Sequence, residues 1–306
     1  MTRTDSILLA TDLSAAGVPA LRRAALIAAD HDARLTLLTV VDPARPPTRR
    51  SGLGKTAAVE LRLAHARERL HTWAIELGAL CDMEVRAVVR SGDVLQHIAA
   101  AAEKADLVVL GARRGNLLRE FLFGTPAERV VRISRRPVLV VKQVPVSAYR
   151  RVLVAVDFSA SSAHSVRLAN ELAPTAEVHL FHALESTPTA QMRTAGVSDE
   201  VIRFNRELAR ARRLQALRTL GGGVAGIQTA VGEGPAAALT LARQQALAAD
   251  LVVVGKHHAS RWADFLLGSV TQRLLAAATS DVLVIPQAAR HRRPSRRPLR
   301  GLALGS

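Results

Sequence analysis

The amino-acid sequence predicts an α/β protein built from two tandem copies of one module, each a parallel sheet flanked by helices. Three observations carry this prediction. The chain repeats itself once: Ile7-Leu8-Leu9-Ala10-Thr11-Asp12-Leu13-Ser14 recurs as Val152-Leu153-Val154-Ala155-Val156-Asp157-Phe158-Ser159. Within each copy, short unbroken runs of Val, Leu and Ile alternate with longer stretches rich in Ala, Leu and Arg, and unbroken apolar runs suit parallel strands covered on both faces. Finally, 306 residues with 49% hydrophobic content hold enough apolar surface for more than one core.

The copies keep nearly the same register along their length. Ala105 to Gly111 returns as Ala249 to Gly255, Phe121 to Thr125 as Phe265 to Ser269, and Val138 to Val141 as Val282 to Ile285. The pattern reads β-α-β-α-β-α-β-α-β twice. In the first copy the strands fall near residues 6–11, 34–41, 83–90, 106–111 and 137–142. Ser14 and Ser159 follow the first strands and are placed as N-caps, where a hydroxyl accepts an orphan helix amide. Residues 42–55, with three Pro and two Gly, form a loop before the second helix, and 184–197 are its counterpart. The domains are therefore 1–142 and 150–286, joined by a linker at 143–149 and followed by a basic tail at 287–306 expected to be disordered.

The net charge is +16, of which six charges are arginines in the tail, where no acid occurs. Such a balance attracts polyanions. A single cysteine, Cys81, cannot form an internal disulfide, and the start shows no basic stretch followed by an apolar run. No apolar run approaches the ~20 residues needed to cross a bilayer. The expectation is a cytoplasmic protein with no membrane role.

Asp12 and Asp157 stand at strand ends where open parallel sheets bind ligands. A carboxylate there can accept hydrogen bonds from ribose hydroxyls, or it can order the loop that begins the next helix. After the fourth strand comes Gly111-Ala112-Arg113-Arg114-Gly115, then Gly124-Thr125 opening a helix. Glycines let backbone approach phosphate, and helix-terminal amides favour anions. On these residues the chain resembles the universal stress protein family, whose nucleotide-binding members carry Gly-x-x-Gly, nine residues, then Gly-Ser or Gly-Thr.

The resemblance covers both halves. It implies two Rossmann-like domains of the adenine nucleotide alpha hydrolase-like type, each with a five-stranded parallel sheet, and a regulator that binds ATP or another adenine nucleotide. It also implies pairing of modules through the last strand, so that Val138–Val141 and Val282–Ile285 would meet within one molecule, with a homodimer left open. Backbone groups of Val40 and Val41 would neighbour the adenine, with Leu180, Phe181 and His182 filling that region in the second copy. Both copies depart from the pattern at one place: Arg114 stands at the second Gly, with Gly115 one residue later, and His258 stands there in the second copy, between Gly255 and the matching Gly268-Ser269. A side chain at that position obstructs close backbone approach, or supplies positive charge to a phosphate.

Other signals are discounted. Gly52-Leu53-Gly54-Lys55-Thr56 ends like a P-loop, but position 49 is Arg and no strand runs into it. His179 and His182, three apart on a strand, point to opposite faces, and His257-His258 has no ligand cluster near it, so no metal is expected. Cys81 reads as buried rather than catalytic. The Arg-rich helix around residues 203–218 is interleaved with Glu207, and aromatics are 3% of the chain, so no nucleic-acid role is expected. Neither a nucleophile with an adjacent base nor paired carboxylates can be assigned, which argues against an enzyme. The rival to a nucleotide-binding regulator is a scaffold of the same fold with empty pockets that meets an unidentified protein partner.

Overall fold

The structure is a computed structural model that describes residues 4–44, 54–112, 126–184, 189–222, 226–256 and 267–286. The tail at 287–306 and most of the 42–55 loop lie outside the described residues. The first copy contains β1 (Ser6–Ala10), α1 (Val18–His31), β2 (Arg34–Val41), α2 (Lys55–Cys81), β3 (Val85–Ser91), α3 (Val94–Ala102), β4 (Leu107–Gly111), α4 (Pro126–Ile133) and β5 (Val138–Val141). The second contains β6 (Arg151–Ala155), α5 (Ser162–Leu172), β7 (Glu177–Leu184), α6 (Thr189–Thr194), α7 (Asp199–Gly221), β8 (Gln228–Glu233), α8 (Ala236–Ala246), β9 (Leu251–Gly255), α9 (Ser269–Ala277) and β10 (Asp281–Ile285).

Two expectations change. The segment 184–197 is not a plain loop, since it ends β7 and contains α6. Neither serine caps a helix as expected: Ser14 precedes a 3-10 turn at Ala15–Gly17 without a side-chain cap bond, and α5 is preceded by Ser161 rather than Ser159. Aspartates order the turns instead. Ser14 N donates to Asp12 Oδ1 at 3.0 Å and Ser159 N to Asp157 Oδ1 at 2.9 Å, so each carboxylate closes an Asx turn on the residue two ahead.

All ten strands join one sheet in the order β3-β2-β1-β4-β5-β10-β9-β6-β7-β8. Within each copy the pairing is parallel, and the last strands, β5 and β10, pair antiparallel with Leu139 opposite Leu283. Every residue of β5 and β10 is buried, because β1, β4, β6 and β9 and helices on both faces leave no water beside them. Either strand alone would present an apolar edge, an invitation to uncontrolled pairing. Joining the two copies edge to edge removes both.

The seam carries a buried polar node. Asp281, fully buried, accepts from Lys142 N at 2.8 Å and Gln143 N at 3.1 Å through Oδ1, and from the Tyr149 hydroxyl at 2.7 Å through Oδ2. Arg23 of α1 brings its Nε within 3.4 Å of Asp281, lies over the Tyr149 ring at 3.9 Å, and donates through Nη1 to Ser147 O at 2.8 Å. The linker is therefore fastened to both copies. Burial, then the Asp281 charge, pushes the Tyr149 phenol well above its ordinary range. Burial also lowers Lys142 to about 8, against the opposing pull of Asp281 and Glu128.

Removing one partner of such a node leaves an uncompensated charge, at a cost of about 3–5 kcal/mol. Asp281→Ala is therefore expected to lose stability on that scale in urea denaturation, whereas a surface change such as Asp199→Ala should cost well under about 1 kcal/mol. Lys142 also sets a pH dependence. Its folded value lies below its unfolded 10.5, so the unfolded chain binds more protons between the two, and stability should rise as pH increases from about 8 toward 10. Lys142→Met should flatten that rise; an unchanged slope would contradict the assignment.

Candidate functional site

The ligand-sized feature of the first copy lies at the carboxyl ends of β1, β2 and β4, where a parallel sheet with this strand order opens a crevice. Its geometry starts in the turn after β1. Thr11 N still donates to Leu38 O at 2.9 Å, Leu13 N then donates to Thr11 Oγ1 at 3.1 Å, and Thr39 Oγ1 holds Thr11 O at 2.7 Å. Leu13 takes a left-handed backbone, φ 60°, and Phe158 does the same in the second copy at φ 57°. For a non-glycine residue this conformation is costly, and its repetition at both strand ends marks turns held by their surroundings. The turn leaves Asp12 exposed at the mouth of a cavity of about 310 Å³.

The cavity is lined by Asp12, Val40, Gly111 and Ala112 from strand ends, by Gly17 and Ala20 at the start of α1, and by Ala127 and Arg129 in α4. Gly111 ends β4 beside the turn before α1: a Cβ there would stand in ordinary contact, 3.5 Å from Ala16 O and 3.6 Å from Gly17 Cα. Val40 lines the space, but Val41, on the opposite face of β2, packs into the core, while its carbonyl accepts from Gly92 N at 3.1 Å. Arg114, Gly115, Gly124 and Thr125 lie outside the described residues, as does His258. Sequence reading missed Asp42, Arg62 and Arg129. Arg62 reaches from α2 to donate to Asp42 O at 3.1 Å, a pairing over 20 residues that no local pattern signals. Arg129 was within reach, being a cation in the first turn of the helix opened by Gly124-Thr125.

The second copy keeps the backbone and changes the side chains. Ser161 and Ser162, both buried, replace Ala16 and Gly17. Ser162 Oγ donates to Asp157 Oδ1 at 2.9 Å, beside the Ser159 amide already bound there. Ser161 Oγ would meet a Cβ on Gly255 at 3.2 Å. The ladder β6–β7 aligns Ala155 with Phe181 just as β1–β2 aligns Ala10 with Leu38. The counterparts of Val40 and Val41 are thus Ala183 and Leu184, not the residues 180–182 that the family resemblance suggested. His182 takes the place of Thr39: its Nδ1 lies 2.7 Å from Val156 O and its ring 4.7 Å from Phe158. Burial lowers its pKa first, opposed by that hydrogen bond, so near neutral pH it is an uncharged donor to the carbonyl.

After Gly255 the chain turns Lys256 into the seam, where it is 6% exposed and its Nζ donates to Arg132 O at the end of α4. Lys142 does the reciprocal thing, donating to Ala278 O at 2.8 Å at the end of α9. A cation at a helix carboxyl end satisfies orphan carbonyls and complements the dipole. Gly268 precedes α9 and Ser269, exposed, opens it. Cys81 is the last residue of α2 and is half-buried rather than buried. Among the described residues no cluster of His, Cys, Asp and Glu could hold a metal ion, and no helix is long and apolar enough to cross a membrane.

Two α/β modules joined edge to edge through their last strands, the first with a crevice at its strand carboxyl ends, define a tandem α/β protein of doubly flanked parallel sheets. The chain belongs to the universal stress protein family, whose model matches residues 3–142 and again 148–286. A universal stress protein of Mycolicibacterium smegmatis is 27% identical over 286 residues, spanning 91% of this chain and 96% of the relative. The crystal structure of a universal stress protein from Archaeoglobus fulgidus superimposes with a TM-score of 0.68 at 21% identity, covering 93% of this chain and 97% of the other. A functionally unknown protein from Pseudomonas aeruginosa gives 0.63 at 25% identity, covering 92% of each.

The Lys256 contact should matter for stability, since its loss leaves a helix-end carbonyl without its donor. Lys256→Met is expected to cost about 1–3 kcal/mol in thermal or chemical unfolding, and Lys256→Arg to recover most of it. Equal stability of the methionine variant would show that the contact does not hold the seam.

Proposed function

We propose that this protein is a stress-response regulator that works in the cytoplasm by binding, not by catalysis, and that its first copy holds ATP or another adenine nucleotide. The observation that supports this most is the 310 Å³ cavity that gathers Asp12, Val40 and Gly111 from three separate strand ends. Asp12 offers acceptors for ribose hydroxyls at the mouth. Val40, Leu95 and Ile98 offer an apolar slot for a planar base, and Arg129 offers a cation to phosphates. The described residues that line it form no nucleophile–base pair, so a bound nucleotide would be sensed rather than processed.

The second copy is read as the scaffold. Asp157 is engaged by the Ser159 amide and the Ser162 hydroxyl, and Lys256 is spent on the seam, which disfavours a nucleotide at that end. The reading of empty pockets thus applies to half the molecule, and the switch it implies is nucleotide-dependent presentation of a surface to a protein partner.

Mass spectrometry of ligand released from the purified full chain, followed by ATP titration, tests this. Hydrogen bonds to a charged group contribute about 1.5–3 kcal/mol, so Asp12→Ala should weaken ATP binding about tenfold or more, while Asp157→Ala should change it less than about twofold. Gly17→Ser, which imports the second copy's residue beside Thr11, should also weaken binding. Absence of any adenine nucleotide and of ATP binding would leave only the scaffold.

A further inference from the structure

A second cavity lies in the first copy, on the α3 side of the sheet and towards the amino ends of its strands, away from the crevice described above. It measures about 490 Å³ and runs between α3 and the β2–β3 edge. Thr36, Val88 and Ala101, all half-buried, form its floor and inner wall, and Arg34, Arg86, Arg90 and Lys104 stand around it with Glu84 as the one acidic neighbour. Strand pairing sets this geometry. Thr36 lies opposite Arg86 and Val40 opposite Arg90, and Arg34 is two residues before Thr36 on the same face. Along β3 the two arginines are about 13 Å apart. Among the described residues, Arg34, Arg86 and Lys104 have no acidic partner.

The fold does not require this groove, because the second copy closes it. By strand register, Arg34, Thr36, Arg86 and Arg90 correspond to Glu177, His179, Gln228 and Gly232. There Gln228 Nε2 donates to Glu177 Oε1, which also lies 3.3 Å from the buried His179. Phe181 and Leu239 close over Gly232, where even a Cβ would stand 3.0 Å from the Phe181 ring. One copy is thus filled, with its acidic residue engaged by Gln228, and the other is open and cationic. Guarding an edge strand accounts for charge on β3, but Arg34 belongs to an inner strand and Lys104 follows α3 on the opposite wall.

We propose that this groove is a binding site for a compact multivalent anion, a polyphosphate or a polycarboxylate, held by Arg34, Arg86 and Lys104. Guanidinium groups suit such a ligand because each makes two parallel bonds to phosphate or carboxylate. The site is independent of the nucleotide crevice and keeps its meaning if that crevice is empty.

Isothermal titration calorimetry of the full chain with tripolyphosphate, and separately with citrate, tests the proposal and distinguishes the two anion classes. The decisive variant is Arg34→Glu with Arg86→Gln, which installs the residues the second copy uses at these positions and so is compatible with the fold. The control is Arg67→Glu with Arg167→Gln, an equal change of charge at exposed sites elsewhere. The expected result is saturable binding of one anion per chain, weakened at least tenfold in the decisive variant, within twofold of wild type in the control, and unaffected by saturating adenosine. No saturable binding, equal weakening in both variants, or a signal that survives the decisive variant and is displaced by ATP would each overturn the proposal.

Discussion

A carboxylate without water around it must be surrounded by donors, and Asp281 has been given them from both halves of the chain. That requirement fixes more than one contact. Lys142 and Gln143 can donate their amides only if the chain leaves β5 at one point. Tyr149 reaches only if the linker folds back, and Arg23 reaches only if α1 lies against the seam. The node therefore sets the crossing of the two copies, and the antiparallel β5–β10 ladder follows at a single register. The two lysines then tie the last helix of each copy to the other, so the halves share their helix ends as well as their sheet. A buried ionic node adds less net stability than an apolar one would, because desolvation opposes it, but it penalises every alternative register.

The duplication has been used asymmetrically. Both copies retain the strained turn after the first strand and the aspartate that orders it, so the backbone of the crevice is common. What differs is a handful of side chains. Gly17 has become Ser162, Ala112 has become Lys256, and Thr39 has become His182, and each change carries a polar contact that ties the second copy to itself or to the first. The first copy matches the last of these with Thr39 Oγ1 on Thr11 O, but it has no hydroxyl at position 17 and no cation at position 112, and it keeps its space. The same contrast recurs lower on the sheet, where one copy is filled and the other carries arginines that have no acidic partner among the described residues.

Much of the fold was legible in the sequence because its signals are local. Unbroken apolar runs located the first copy's strands to within about two residues, and the family resemblance implied that Val138–Val141 and Val282–Ile285 would meet. The strand-end aspartates and Gly111 were legible as well, since ligand crevices of parallel sheets form at strand carboxyl ends. Asp281 was not, because its partners Arg23 and Tyr149 lie 258 and 132 positions away in the chain and nothing in a short window links them. Arg62 escaped for the same reason. Ser159 was misplaced as a cap because the turn is closed by the preceding aspartate, and residues 180–182 were set against Val40 and Val41 by family resemblance, whereas ladder register puts Ala183 and Leu184 there.

The central claim is that two modules of one fold have parted, one open to a nucleotide and one closed by its own side chains. Native mass spectrometry of the full chain with saturating ATP reads that claim directly. The account predicts one nucleotide per chain. Two per chain, persisting when Arg34→Glu and Arg86→Gln remove the groove's arginines, would contradict it, because the second copy would then have opened a site that Ser162, Asp157 and Lys256 hold shut.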